Sequence, residues 1–235
     1  MNRPVREAVV VWAAVIAGLA VAQLLGLLIA PLGSLVGALA VAAFLYVPLR
    51  FLERRGEDAV DAGFRFDRLG QDLLWAAVVC ALVLPIFSFS FFAFTEWLEK
   101  LPGPLRAFLA PYTSHARPLH FRVPLTFDFA GQVAGNAAVA FSEEFFYRGY
   151  LTRRLEERWP PQRSFLGAKL GRAALLAAFL FALGHLLQPA PWRLAVFFPA
   201  LLFAWLRAKT GTIVGGSIAH LAFNVWLLLL QGAAA

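Results

Sequence analysis

The stretch AVVVWAAVIAGLAVAQLLGLLIA at residues 8–30 decides the fold, because its 23 residues include no charged side chain. An α-helix of about 20 apolar residues crosses the roughly 30 Å hydrocarbon core of a bilayer. Basic residues before the stretch and Ala20-Val21-Ala22 within it are also features of a cleaved signal peptide. Because the apolar run continues past that point to Ile29, we expect a retained first transmembrane helix.

The composition extends this conclusion to the whole chain. Of its 235 residues, 60% are hydrophobic and 15% are charged, whereas soluble domains average about 25% charged residues. This disfavours a soluble protein with a very large core. Apolar runs bounded by charges, glycine or proline instead predict an all-α, polytopic transmembrane bundle of about seven spans. The predicted spans are residues 8–30, 34–52, 72–94, 127–150, 172–188, 192–207 and 212–231.

The basic residues are distributed unevenly between the two sides of this topology. Sixteen of the 21 Lys and Arg residues fall on the side that holds the N-terminus, and five fall on the other. The positive-inside rule then predicts a cytoplasmic N-terminus and an extracytoplasmic C-terminus. The net charge of +7 is thereby explained by the bilayer, without a nucleic-acid partner. We expect a multi-pass protein of a plasma membrane, of the kind found in bacterial inner membranes.

The sequence SEEFFYR at residues 142–148 brings charged groups into the fourth span, whose helix we expect to continue to Arg158. Glu144 and Arg148 lie four residues apart with the acid first, which favours an ion pair on one helical face. Glu143 is rotated by about 100° from Glu144, so its carboxylate can face a cavity. Buried charges usually face the interior of a membrane bundle and serve function. An ordinary helix end at the membrane surface is the alternative, and it fits Arg148 better than Glu143.

Two later spans each carry a polar pair at the same spacing. Phe181 and His185 share a face of the fifth span, and His220 and Asn224 share a face of the seventh. His220 and Asn224 can both donate hydrogen bonds in one direction, as a developing oxyanion requires. A hydrogen-bonded core histidine and interhelical hydrogen bonding are the alternatives. The small residues of Gly215-Gly216-Ser217 permit close helix approach.

The three motifs, in this order and on separate apolar spans, resemble the CPBP family. This is the type II CAAX prenyl endopeptidase and bacteriocin-processing (Abi) group of intramembrane proteases. The resemblance covers roughly residues 127–231. It implies an integrated membrane domain with N-terminal transmembrane helices and loops at 1–126 and a CPBP-like catalytic core at 127–235.

The resemblance also implies roles for the site residues. Glu143 and His185 would activate a water for attack on a peptide bond, and His220 and Asn224 would stabilise the oxyanion. The supporting residues would be Glu144, Arg148 and Phe181, the first two by orienting the site or the substrate. The implied partner is a membrane protein or peptide, prenylated or processed at its C-terminus.

A metal-dependent version of this site is the open question. Glu143, His185 and His220 could supply three ligands with a fourth position free, so zinc or another divalent metal is an alternative. The sequence contains no HExxH motif, and we favour metal-free chemistry. His185 falls late in its span, so either that helix begins earlier, near Ser164, or it does not cross the bilayer fully.

Two further functions compete with the protease. A membrane scaffold or immunity protein of the same fold would need only the packing, and the intact set of polar residues argues against it. A proton-coupled transporter could use buried Glu and His as a relay, and it would require water access from both sides. The proline-rich loop at 95–126 is expected to be a connector.

Overall fold

The computed structural model describes residues 3–109, 123, 126–188 and 190–233, so residues 110–122 and 124–125 of the predicted 95–126 connector lie outside the described residues. Seven of the nine α-helices in these residues form at the apolar runs that the sequence predicts. The nine helices are α1 (Arg3–Leu28), α2 (Ala30–Glu53), α3 (Leu69–Glu99), α4 (Gly103–Leu109), α5 (Phe127–Glu144), α6 (Arg153–Glu156), α7 (Arg172–Gly184), α8 (Phe197–Thr210) and α9 (Val214–Ala233).

Four of these helices are long and apolar enough to cross a membrane: α1, α2, α3 and α9. Large apolar side chains on them are exposed, such as Leu28 at 81% and Phe89 at 77%. An aqueous surface would not favour so many exposed leucines and phenylalanines, whereas lipid does. The predicted all-α, multi-pass membrane bundle is confirmed, and the number of seven spans stays a prediction.

The fourth predicted helix is continuous but irregular. It begins at α5, where the Thr126 hydroxyl accepts a hydrogen bond from the Phe129 amide at 3.1 Å. Residues Phe145–Thr152 then adopt a π-helix, and α6 continues to Glu156. The helix therefore stops two residues before Arg158, ahead of the Pro160-Pro161 pair that cannot extend it. π-Helical turns are rare and are frequent at functional sites.

Helices α7 and α8 are shorter than a membrane span. They contain 13 and 14 residues, or about 20 Å each at 1.5 Å per residue. The 3₁₀ turns His185–Leu187 and Pro191–Val196 lie between them. Of the two alternatives for the fifth helix, a start near Ser164 is wrong, because that segment is a hairpin of strands β1 (Arg163–Phe165) and β2 (Ala168–Leu170). Gly167 turns it with a φ of +77°.

Helix α9 packs against α3, α5 and α8. Its first turn is fixed to α3 by Asp72, whose buried carboxylate accepts hydrogen bonds from the Thr212 hydroxyl at 2.6 Å and the Gly215 amide at 3.2 Å. A carboxylate at a helix N-terminus satisfies free amides and opposes the positive end of the helix dipole. This contact sets where α9 begins and hence which face it turns toward α5.

Candidate active site

The ion pair Glu144–Arg148 lies at the buried bottom of the site. Arg148 Nη1 donates to Glu144 Oε1 at 2.9 Å, across the i, i+4 spacing, and both side chains are almost fully buried. Arg148 Nη2 donates to the Ala200 carbonyl of α8 at 2.8 Å. The guanidinium also lies over the rings of Phe181 and Phe203, 4.7 and 5.4 Å from their centroids. Arg148 therefore connects α5 to both α7 and α8.

His220 of α9 lies between the two adjacent glutamates. Its Nδ1 is 3.1 Å from Glu144 Oε1, and its Nε2 is 3.6 Å from Glu143 Oε2. Its ring stacks on Phe203 with centroids 4.8 Å apart and an interplanar angle of 17°. The first and third sequence motifs thus meet through one imidazole, which is held by a carboxylate on each side and by an aromatic face.

Gly216 allows this close approach of α9 to α5. A Cβ atom built on Gly216 would lie 3.1 Å from Glu144 Oε2. That oxygen is buried and receives no hydrogen bond from the described part of the chain. The prediction that the Gly215-Gly216 pair permits close helix contact is confirmed, because Gly215 faces the Asp72 carboxylate in the same way at 3.0 Å.

Glu143 and His185 line one cavity of about 490 Å³, together with Tyr147 and residues of α1 and α2. His185 Nδ1 donates to the Phe181 carbonyl at 2.9 Å, because a carbonyl can only accept. This bond fixes the ring and leaves Nε2 as the other functional nitrogen. A carboxylate and an imidazole thus share one polar recess whose remaining wall is largely apolar.

Tyr147 was not predicted from the sequence, although it lies four residues after Glu143 and so on the same helical face. Its ring is buried, and its hydroxyl accepts a hydrogen bond from Trp12 Nε1 of α1 at 3.2 Å. A Cβ atom on Gly184 would lie 2.9 Å from this hydroxyl. The hydroxyl is therefore held between α1 and the end of α7, beside the cavity.

Phe181 and Asn224, the remaining two candidate residues, differ in how many contacts they make with the rest of the site. Phe181 is buried and contacts the rings of His185, His220 and Tyr147, at 4.5, 5.9 and 5.0 Å between centroids. Asn224 lies one turn beyond His220 on α9 and is half-buried. Its side chain makes no hydrogen bond within the described residues, so the structure does not bring it into the buried network.

The three candidate metal ligands do not form a ligand group. Among residues 3–109, 123, 126–188 and 190–233, no three His, Cys, Asp or Glu side chains are grouped as metal ligands. Both nitrogens of His220 face carboxylates, and Nδ1 of His185 is bonded to a backbone carbonyl. An Nδ1 bond to a carbonyl or a carboxylate is also common in metal-binding histidines, so the metal-free chemistry stays a prediction.

Comparison with known proteins agrees with the motifs. Residues 126–226 match the family model described as type II CAAX prenyl endopeptidase Rce1-like. A search of curated proteins and a search of solved structures give no match. The matched region begins at the N-cap of α5 and ends in α9, so it contains every candidate site residue that the sequence predicted. Residues 126–226 of this chain are therefore similar to the type II CAAX prenyl endopeptidase Rce1-like family, and this match supports the family resemblance that the three motifs carry.

Proposed function

We propose that the protein is an intramembrane endopeptidase that hydrolyses a peptide bond in a membrane-associated protein or peptide. The observation that carries this proposal is the cavity shared by Glu143 and His185. A carboxylate and an imidazole with a free nitrogen are the two groups best suited to accept a proton from water near neutral pH. The family match supports the same class of reaction.

In the proposed reaction, a water molecule in the cavity gives a proton to Glu143 or to Nε2 of His185. Its oxygen attacks the carbonyl carbon of the substrate, and the carbonyl π electrons move to oxygen to form a tetrahedral oxyanion. The oxyanion collapses, the C–N bond breaks, and the stored proton passes to the leaving nitrogen. The products are a new carboxyl terminus and a new amino terminus.

The oxyanion is stabilised by His220 and Asn224, which lie one turn apart on α9. Nδ1 of His220 is held by Glu144, and Nε2 faces Glu143, which lines the cavity. In this role, Nε2 carries the hydrogen that is donated to the oxyanion. Fixed donors directed at developing charge contribute strongly because they need no reorganisation during the reaction. Asn224, which lacks a partner in the described residues, is available to substrate.

Glu144, Arg148 and Phe181 serve as positioning residues. Glu144 orients His220, and Arg148 fixes Glu144 while tying it to the Ala200 carbonyl. Phe181 packs against both histidines. These three residues therefore hold the reacting groups in position and do not themselves react with the substrate.

The substrate reaches this site beside helices α1 and α2, which contribute most of the apolar cavity wall. An apolar wall between two transmembrane helices suits a membrane-embedded segment or a lipid-modified terminus. We propose a prenylated or C-terminally processed substrate on this ground and on the family match. The uneven basic charge supports a plasma-membrane protein with a cytoplasmic N-terminus.

The competing functions predict different products. A scaffold or immunity protein would not need the cavity carboxylate, and a transporter would release no peptide. The test is to express Glu143→Ala, His185→Ala and Asn224→Ala variants in the native host and to map membrane-protein termini by mass spectrometry. We expect termini that are present with the wild type to be lost in all three variants. If the termini are unchanged in all three, the endopeptidase proposal fails.

A further inference from the structure

The structure contains a second cavity, which shares no lining residue with the cavity of Glu143 and His185. It has a volume of about 470 Å³ and is enclosed by the α2–α3 loop, α6, strand β2 and the α8–α9 turn. Its cationic lining residues outnumber its two carboxylates, Asp61 and Glu156. The cations are Arg65, Arg153, Lys169 and Arg207.

Part of this charge is neutralised within the protein. Arg207 is bonded to both carboxylate oxygens of Glu156, at 2.8 and 2.9 Å. Arg153 donates to Glu57 at 3.2 Å and to the Asp61 carbonyl at 2.7 Å. These two arginines therefore form a fixed wall of the cavity. Because their hydrogen bonds are already used within the protein, they are not the groups that would bind a ligand.

Two other cations remain available to a ligand. Lys169 is exposed, and its ammonium group has no hydrogen bond or ion pair with any residue that the structure describes. Among the residues that the structure describes, Arg65 forms an ion pair with its near neighbour Asp67, at 3.1 Å, and its side chain is 38% exposed. A Cβ atom on Gly211 would lie 3.8 Å from Arg65 Nη2 and 4.0 Å from Arg68 Nη1, so two guanidinium groups converge there. Neighbouring like charges repel, and an anion placed between them would relieve that repulsion.

The position of the cavity indicates which kind of anion would bind there. The α2–α3 loop joins two candidate spans, and α9 begins a third beside Gly211. The cavity therefore lies at the level of the lipid headgroups. Apolar side chains on the same segments are exposed, with Phe66 at 58% and Leu166 at 71%. Basic groups flanked by exposed apolar ones are suited to a membrane surface that carries anionic lipid.

The hairpin that carries Lys169 is held rigidly in place. Lys209 Nζ donates to the Leu166 carbonyl at 3.0 Å, and Trp205 Nε1 donates to the Phe165 carbonyl at 3.0 Å. The Lys209 ammonium also lies 4.5 Å from the centroid of the Trp75 ring. A fixed hairpin keeps the Lys169 ammonium at the cavity, so binding an anion requires little ordering of the backbone.

We propose that this cavity binds the phosphate headgroup of an anionic phospholipid through Lys169 and Arg65. A free phosphate ion offers the same oxygen chemistry, so the experiment must separate the two sources. The protein thereby acquires a lipid site at the membrane surface, distinct from the proposed peptidase cavity.

The test is native mass spectrometry on the full-length protein in a neutral detergent, titrated separately with phosphatidylglycerol, phosphatidylcholine and inorganic phosphate. We expect the wild type to bind phosphatidylglycerol at least about tenfold more tightly than phosphatidylcholine, since each basic group near an anionic surface contributes severalfold. The Arg65→Gln/Lys169→Gln variant should lose this preference. The control variant Arg158→Gln/Arg163→Gln removes the same charge from exposed positions outside the cavity and should keep it.

Three results would overturn the proposal. The first is an unchanged lipid preference in Arg65→Gln/Lys169→Gln. The second is binding of inorganic phosphate as tight as that of phosphatidylglycerol, which would identify a free-anion site. The third is displacement of the lipid by polyglutamate at equal charge concentration, which would indicate an acidic polypeptide partner. If the double variant unfolds, Lys169→Gln alone replaces it, with an expected loss of about fivefold.

Discussion

Glu144 of α5 and His220 of α9 are joined by a hydrogen bond of 3.1 Å between Oε1 and Nδ1, and both side chains are buried. The same carboxylate oxygen accepts from Arg148 at 2.9 Å. One buried oxygen therefore holds a guanidinium and an imidazole that come from residues 72 positions apart. Such a network loses more than one contact when any member is removed, because the remaining charges stay buried without partners.

The first prediction concerns the buried ion pair. Arg148→Ala should lower the free energy of unfolding by about 3–5 kcal/mol, because it leaves the Glu144 carboxylate buried and unpaired. Adding Glu144→Gln should recover part of that loss by removing the stranded charge. Thermal unfolding of the purified protein in detergent measures both effects.

The control for this variant is Arg50→Ala, which breaks the Arg50–Glu53 pair, whose side chains are more than half exposed. Its effect should stay within about 1 kcal/mol. Equal losses of stability in Arg148→Ala and Arg50→Ala would show that the buried network is not held together as described.

The second prediction concerns the close approach of α9 to α5. Gly216→Ala would place a Cβ atom 3.1 Å from Glu144 Oε2, so the Glu144 carboxylate or α9 must give way slightly, and the contact between Glu144 and His220 changes with it. We expect peptide cleavage to fall by at least about tenfold, since misplacement of a catalytic group by about 1 Å is costly. Gly135→Ala on α5 is the matched control, because a Cβ there has nothing within 4 Å. Full activity in Gly216→Ala would contradict the packing argument.

The third prediction concerns the hydroxyl of Tyr147. It accepts from Trp12, so its own proton is available for a hydrogen bond in the cavity. Tyr147→Phe should reduce the rate of peptide cleavage by about tenfold, the equivalent of roughly one hydrogen bond, and lower the free energy of unfolding by about 1–3 kcal/mol, because the Trp12 indole loses its acceptor. The measurement is the cleavage rate at saturating substrate.

The control for Tyr147 lies in the same π-helix. The hydroxyl of Tyr150 donates to Glu7 at 3.4 Å and does not line the cavity. Tyr150→Phe should therefore leave the cleavage rate unchanged. A larger loss of rate in Tyr150→Phe than in Tyr147→Phe would exclude the proposed role of the cavity hydroxyl.

The helical fold could be predicted from the sequence because lipid imposes a simple rule on the backbone. Every backbone group in the hydrocarbon core must be bonded internally, so long apolar runs such as residues 8–30 become helices. The i, i+4 spacing of Glu144 and Arg148 likewise predicts their shared face. Local periodicity is enough for both inferences, since neither depends on how the helices pack.

The contacts between helices could not be predicted in the same way. No local pattern indicates that both nitrogens of His220 face glutamates, or that Asp72 in the N-terminal half anchors α9. The hairpin at 163–170 was missed because two three-residue strands are too short for an alternating pattern to be read. Tyr147 could have been found, because it shares a helical face with Glu143.

The fourth prediction concerns metals. Treatment of the purified protein with a strong chelator should leave the cleavage rate unchanged, because the proposed reaction activates water with Glu143 and His185 alone, and no three His, Cys, Asp or Glu side chains of the described residues are grouped as metal ligands. The assay compares untreated protein, chelated protein and chelated protein resupplied with zinc. Loss of activity on chelation with recovery on zinc would instead require Glu143, His185 and His220 to rearrange around an ion.

The most direct test of the peptidase account uses a substrate identified by mapping membrane-protein termini. The cleavage rate of that substrate is measured in liposomes with wild-type protein, Glu143→Gln, and the control Glu96→Gln, which alters an exposed acid paired with Lys100. Removing a general base costs about 10²–10⁴-fold. We predict a fall of at least about 100-fold for Glu143→Gln and no change for Glu96→Gln. Cleavage by Glu143→Gln at the wild-type rate would contradict the account.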